Sequence, residues 1–136
     1  MQAEKLLTKL KAWWRRFFNP NVRRGRRGEL AAARFLKKNG YKILARNWTL
    51  GRYELDVVAQ KGNGLVFIEV RGRSKNSFQS GYYSVSRKKK EALKKAIKGF
   101  LRRYRNVTTY QFDIISIDWD NDKMVALNHY ENVSLS

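Results

Sequence analysis

Residues 51–73 read GRYELDVVAQKGNGLVFIEVRGR, and the fold is decided in this stretch. It holds two β-type runs, 54–60 and 65–71, joined by the turn-rich Lys61-Gly62-Asn63-Gly64. Strand side chains alternate between faces, so Glu54 and Asp56 share one face of the first run. Glu69 and Arg71 share one face of the second, while Ile68 and Val70 point the other way. If the two runs pair as a hairpin, Asp56 and Glu69 converge. Two carboxylates on otherwise apolar strands are costly to desolvate together unless a cation joins them. Mg²⁺ or Mn²⁺ suits such hard oxygen ligands. The same acids also fit a plainer role, on the solvated face of a half-exposed hairpin with Lys or Arg opposite.

Outward from the hairpin, a strand is expected over 41–48 and a helix over 28–38, stopping at Asn39-Gly40. Ala32, Phe35 and Leu36 form the inward stripe of that helix, and Glu29 borders it near the positive end of the helix dipole. Residues 21–27 read as a basic linker carrying Arg23, Arg24, Arg26 and Arg27, a solvated tether or a phosphate contact. Ahead of it, residues 4–18 predict an amphipathic helix with Leu6, Leu10, Trp13 and Phe17 on one stripe and Lys5, Lys9, Arg15 and Arg16 elsewhere. It is too short and too charged to span a bilayer and has no signal-peptide core. Such a helix either lies on an anionic membrane surface or docks on the domain or on a second copy of the chain.

Downstream, residues 72–84 form a polar loop with Arg73, Lys75 and Gln79, long enough for a flap over a substrate. Ser86 caps a helix over 87–104, whose core stripe is Leu93, Ala96, Ile97, Phe100, Leu101 and Tyr104. Lys88, Lys94, Lys95 and Lys98 populate the rest of its surface, a nearly unrelieved positive charge that fits phosphate. Strands over 110–119 and 124–130 close the chain around Asp120-Asn121-Asp122, which lacks the Gly and terminal Glu of a calcium loop. The expected division is a basic helix and linker over 1–24, then one domain over 25–136.

Composition narrows the function. A chain of 136 residues suits a single core, and a net charge of +19 points to a polyanion, nucleic acid before membrane. Without Cys there are no disulfides and no thiolate zinc sites, which fits a reducing cytoplasm. The single His129 excludes multi-histidine metal sites and reads as structural. Catalysis, if present, rests on carboxylates, basic side chains and metal-activated water.

Five spaced blocks carry a resemblance: Arg26-Arg27-Gly28-Glu29-Leu30-Ala31-Ala32, Gly40-Tyr41, Ala45-Arg46-Asn47-Trp48, Glu54-Leu55-Asp56 and Phe67-Ile68-Glu69-Val70-Arg71. Together they resemble the YraN family of small bacterial proteins, which is similar to archaeal Holliday-junction resolvases. The acid, short hairpin and Glu-Val-Arg also resemble the PD-(D/E)XK nuclease core. The resemblance implies an α/β fold with a restriction-endonuclease-like core, a mixed central β-sheet flanked by helices. The order is α-α-β-β-β-α-β-β, the first helix being an addition. It implies a Mg²⁺- or Mn²⁺-dependent endonuclease acting on structured or branched DNA. Asp56 and Glu69 would be metal ligands, with the Val70 carbonyl and Glu54 as further ligands and Glu29 as a third carboxylate at the metal or its waters. Arg71 stands where many such nucleases have Lys; arginine stays protonated and holds phosphate rather than acting as a base. Lys90 and Tyr53 also depart from the common pattern. Phosphate contacts are expected from Arg23, Arg24, Arg26, Arg27, Arg73, Lys75, Lys88, Lys94 and Lys95. Two other readings stand beside this one: a nucleic-acid binder on a nuclease fold that does not cut, and a membrane-surface or partner-binding protein acting through residues 4–18.

Overall fold

A five-stranded mixed sheet forms the middle layer of the computed structural model, which describes residues 2–18, 20–74, 85–105, 107 and 109–136, and side chains outside 12–23. The elements in chain order are α1 (Gln2–Phe18), α2 (Pro20–Lys38), β1 (Lys42–Leu50), β2 (Tyr53–Lys61), β3 (Gly64–Ser74), α3 (Arg87–Arg103), β4 (Thr109–Asp120) and β5 (Lys123–Tyr130). The strands lie side by side in sequence order, with β3 and β4 parallel and the other neighbours antiparallel. This is the α/β architecture and element order that the sequence implied.

Each face of the sheet has its own core. On one, Ala32 and Leu36 of α2 pack against Val57, Ala59, Val66 and Ile68. On the other, Leu93, Ala96, Ile97 and Phe100 of α3 pack against Leu55, Val58, Leu65 and Phe67. Burial on both faces is why the middle of β3 reads as the continuous apolar run Leu65-Val66-Phe67-Ile68. The ends of the helices follow local chemistry. Gly40, at φ +87°, closes α2 in the left-handed region. Ser86 caps α3 by accepting a hydrogen bond from the Lys89 amide at 3.1 Å.

Two boundaries differ from the sequence expectation. Residues 21–27 are helical rather than a linker, because α2 begins at Pro20. Proline suits a first helical turn and arginine is a strong helix former, so the basic run extends the helix instead of breaking it. Strand β3 runs on to Ser74, since 72–74 pair in parallel with 117–119 of β4. The remainder of the expected flap, with Lys75 and Gln79, lies outside the described residues, as do the side chains of Trp13, Phe17 and Arg23. Among the described residues no helix is long and apolar enough to cross a membrane.

Besides register shifts between Ile43 and Ala45 of β1 and between Asp118 and Trp119 of β4, the sheet is irregular around Asp56. Leu55 and Val57 lie two apart on β2 yet pack into opposite cores, so the alternation breaks at Asp56. The β1–β2 ladder pairs Arg46 with Val57 and Trp48 with Leu55 but skips Asn47, whose φ is +51°. The β2–β3 ladder begins only at Val57 and Ile68. Asp56 therefore sits where pairing is interrupted on both sides.

Candidate active site

Beyond that opening, β3 carries Glu69 into the interior, with only 3% of the residue exposed. Its Oε1 faces two cations, Lys89 Nζ of α3 at 3.5 Å and Arg71 Nη1 at 3.8 Å. Its Oε2 is buried and has no hydrogen-bond partner. Asp56 is held opposite by the Val70 amide, which donates to Asp56 Oδ2 at 2.9 Å. Burial first, then the Asp56 charge and, more weakly, a hydrogen bond with the Asp56 carboxyl push the Glu69 carboxyl up to about 8, against the opposing pull of Lys89 and Arg71. Ionised carboxylates only accept hydrogen bonds, so two of them in contact need a proton or a cation between them.

From the opposite layer, α2 brings Glu29. Its pKa is raised by burial first, then by the charge of Asp56 and, more weakly, Glu54; a hydrogen bond from the Asn47 side chain and the charge of Arg46 oppose the rise. Asp56 thus acts electrostatically on a carboxylate from each face, Glu29 on the α2 side and Glu69 on the α3 side. Glu54 is exposed at the rim, and Val70 is half-buried between β3 and α2.

The expected phosphate contacts are dispersed. Lys88 and Arg26 are exposed, and Lys94 is exposed and paired with Glu91 at 3.1 Å. Lys95 lies over the Tyr53 ring at 5.6 Å. Arg73 is bound through two nitrogens to Asp118, the shorter contact being 2.6 Å. Arg24 reaches Asp122 Oδ1 at 3.4 Å, and Arg27 donates to the Asp122 carbonyl at 2.8 Å while lying over the Trp119 ring. Arg23 and Lys75 fall outside the described side chains.

Three features escaped the sequence reading. Lys89 brings an ammonium to the acidic pair, 3.5 Å from Glu69 Oε1. Asn47 stood inside one of the quoted blocks, but its left-handed backbone and its bond to Glu29 are visible only in three dimensions. Asp113, His129 and Glu131 bring ligand atoms within 4.8 Å of one another on the α2 face of the sheet, where Asp113 pairs with Ile68, the one such His, Asp or Glu trio among the described residues. There Asp113 is fully buried and satisfied: Oδ2 meets His129 Nε2 at 2.7 Å, and Oδ1 accepts from Gln111 Nε2 and the Asn132 amide, each at 2.9 Å. This network fastens the C-terminal segment to β4, which gives His129 a structural task.

The left-handed backbone of Asn47 makes a prediction. Asn47→Gly keeps the left-handed backbone but removes the amide, so the Glu29 carboxyl should titrate higher than in wild type when followed by NMR. Asn47→Ala adds a left-handed penalty and should be less stable than Asn47→Gly by about 1 kcal/mol in thermal unfolding. Equal melting of the two, with an unmoved Glu29 titration, would remove Asn47 from the site.

Comparison with known proteins places the chain among its relatives. Residues 28–117 match the sequence profile of Uncharacterised protein family UPF0102. A UPF0102 protein of Carboxydothermus hydrogenoformans is 44% identical over 112 residues, covering 80% of this chain and 92% of the relative. One from Chloroherpeton thalassium is 36% identical over 111 residues, covering 81% and 86%. Among solved structures, an XisH family protein from Nostoc punctiforme aligns over 74% of this chain and 97% of its own at 12% identity, with a TM-score of 0.38. A resemblance of that size bears on neither fold nor function.

Proposed function

The chain belongs to Uncharacterised protein family UPF0102, and on that premise we propose that it is a metal-dependent endonuclease acting on structured or branched DNA. One observation carries the reading: the Glu69 and Asp56 carboxyls meet in a buried site, close enough to share a proton, and Glu69 Oε2 has no other hydrogen-bond partner. A buried polar atom left unpaired costs free energy, and a hard divalent cation relieves both the vacancy and the repulsion. The residues fit such an ion. Asp56 and Glu69 would hold Mg²⁺ or Mn²⁺, with the Val70 carbonyl, Glu54 and Glu29 as further oxygen donors, directly or through water. A bound divalent ion supplies Lewis-acid polarisation of the phosphate and acidification of water. Arg71 and Lys89 steady the phosphate and the charge that develops on it. The net charge of +19 draws the polyanion to the exposed Arg26, Lys88 and the basic surface of α3. The reading sets the protein in the cytoplasm, beside its substrate.

The deciding experiment incubates the purified protein with Mg²⁺ or Mn²⁺ and linear, flap, four-way and single-stranded substrates. Metal-dependent scission of the branched forms is expected. No cutting of any substrate with either metal would leave a nucleic-acid binder on a nuclease scaffold.

A second reading has its own observation. Leu6, Leu7 and Leu10 of α1 are 60%, 54% and 52% exposed, an apolar stripe on a basic helix that suits an anionic membrane surface, a protein partner or a second copy of the chain. Deleting residues 1–19 removes five Lys/Arg and one Glu while sparing α2. If α1 also touches DNA, the log–log salt slope of binding should flatten by about 0.9 for each lost phosphate contact. An unchanged slope, with vesicle co-sedimentation lost, would assign α1 to the membrane.

A further inference from the structure

Beside the carboxylates, Arg24, Gly25, Gly28 and Glu29 of α2 and the ends of β3 and β4 line an open cavity of about 350 Å³. Its volume is at the small end of ligand sites, room for a single nucleotide and not for a duplex. Val70, Ile117 and Trp119 give it an apolar floor; Arg24 lines it with a positive charge held only by a 3.4 Å contact to the exposed Asp122, whereas Arg73 is closed on Asp118 at 2.6 Å and Glu29 adds a negative charge. The floor is fixed, because Trp119 is buried under the Arg27 guanidinium, 5.1 Å from its ring centroid. Glu29 and Val70 line the cavity and also belong to the carboxylate site, so the two are contiguous.

Two glycines of α2 line the same cavity for different reasons. A Cβ on Gly28 would come within 3.2 Å of Ile117 Cδ1, so packing accounts for that glycine. A Cβ on Gly25 would meet no heavy atom within 4 Å, so packing does not. A glycine inside a helix costs roughly 1 kcal/mol relative to alanine. What Gly25 secures in return is open space at the cavity wall.

We propose that this cavity receives one unstacked nucleotide of the DNA strand, its base on the apolar floor and its phosphate against Arg24. The proposal rests on the nuclease reading and names the feature of the substrate that the site selects. A base inside a continuous duplex reaches such a cavity only by leaving the stack, which costs a few kcal/mol and least for a base already unpaired. Duplexes with a bulged or flapped nucleotide are therefore favoured over uninterrupted ones.

The test is binding in EDTA, by fluorescence anisotropy, of two duplexes that differ only by one unpaired nucleotide. Wild type should prefer the bulged duplex by at least roughly fivefold, the lower end of what one bound base contributes. Gly25→Leu should abolish the preference, leave affinity for the plain duplex unchanged and melt no lower than wild type. Gly25→Ala, which adds only a methyl group in open space, should reduce the preference and carries the same test if the larger substitution misfolds. No preference in wild type, or a preference that survives both substitutions, overturns the proposal. Because no metal is present, the result stands apart from cleavage: a protein that never cuts can still show the preference, and a nuclease can lack it.

Discussion

Glu69→Gln should remove divalent-metal binding and cleavage together while leaving metal-free DNA binding close to wild type. The amide is nearly the same size as the carboxyl, so the packing of β3 against α3 is kept. The charge that crowds Asp56 is gone, and with it the reason for a cation to enter. Asp56→Asn should have the same consequence, since it removes the other half of the pair. Calorimetric titration with Mn²⁺ reads the loss directly, without any DNA substrate. The proton is the metal's competitor here, because burial and then Asp56 raise the Glu69 carboxyl to about 8. Apparent Mn²⁺ affinity should therefore climb with pH until that region is passed. The stability of the metal-free protein should run the opposite way. A carboxyl whose folded pKa lies above its ordinary value of 4.5 contributes stability fully below that value and loses it as pH rises through about 8. Wild type without metal should thus melt lower above pH 8 than at about pH 6, and Glu69→Gln should flatten that fall. Mn²⁺ binding by Glu69→Gln at wild-type strength would show that the site lies elsewhere, with Asp113, His129 and Glu131 the next group to test.

The hairpin was legible because its information is local. Period-two alternation and a glycine-containing turn are enough to bring Asp56 opposite Glu69, and the structure adds the break in alternation that frees Asp56 to bond the Val70 amide. The two cores were legible for the same reason, since the stripes of α2 and α3 were written at helical spacing. Lys89 was not, because its approach to Glu69 depends on how α3 settles on β3 after a crossover. Among the basic residues of α3, sequence offers no means of telling which one faces inward. The run 21–27 was read by its charge, and Gly25 and Gly28 weakened the helical signal that its arginines carry. Asp113 sits in the apolar run Phe112-Asp113-Ile114 and looked like any strand residue, although its burial is complete. In each of these the missing information is a contact between elements far apart in sequence.

The second large effect concerns the two cations on Oε1 of Glu69. Arg71 and Lys89 approach that atom from different elements, at 3.8 Å and 3.5 Å. Arg71 keeps its proton and offers a planar fork; Lys89 is a compact charge on a flexible stem that can follow a phosphate. In an active nuclease, Arg71→Ala and Lys89→Met should each slow cleavage by roughly 10²–10³, the usual cost of one lost electrostatic stabiliser. The loss should fall on kcat, with DNA binding little changed, since dispersed basic residues carry the affinity. If both cations act on the same phosphate, the double variant should lose less than the product of the single losses. Arg71→Lys should retain a measurable part of the rate, because charge survives while the forked donor geometry does not. Lys89→Met cutting at the wild-type rate would reduce Lys89 to a counter-ion of Glu69, and its loss would then appear only as a further rise of the Glu69 carboxyl. A wild type silent on every substrate, with activity appearing only in Arg71→Lys, would reverse the main conclusion. The scaffold would then hold DNA and metal without cutting, and Arg71 would be the residue that keeps it so.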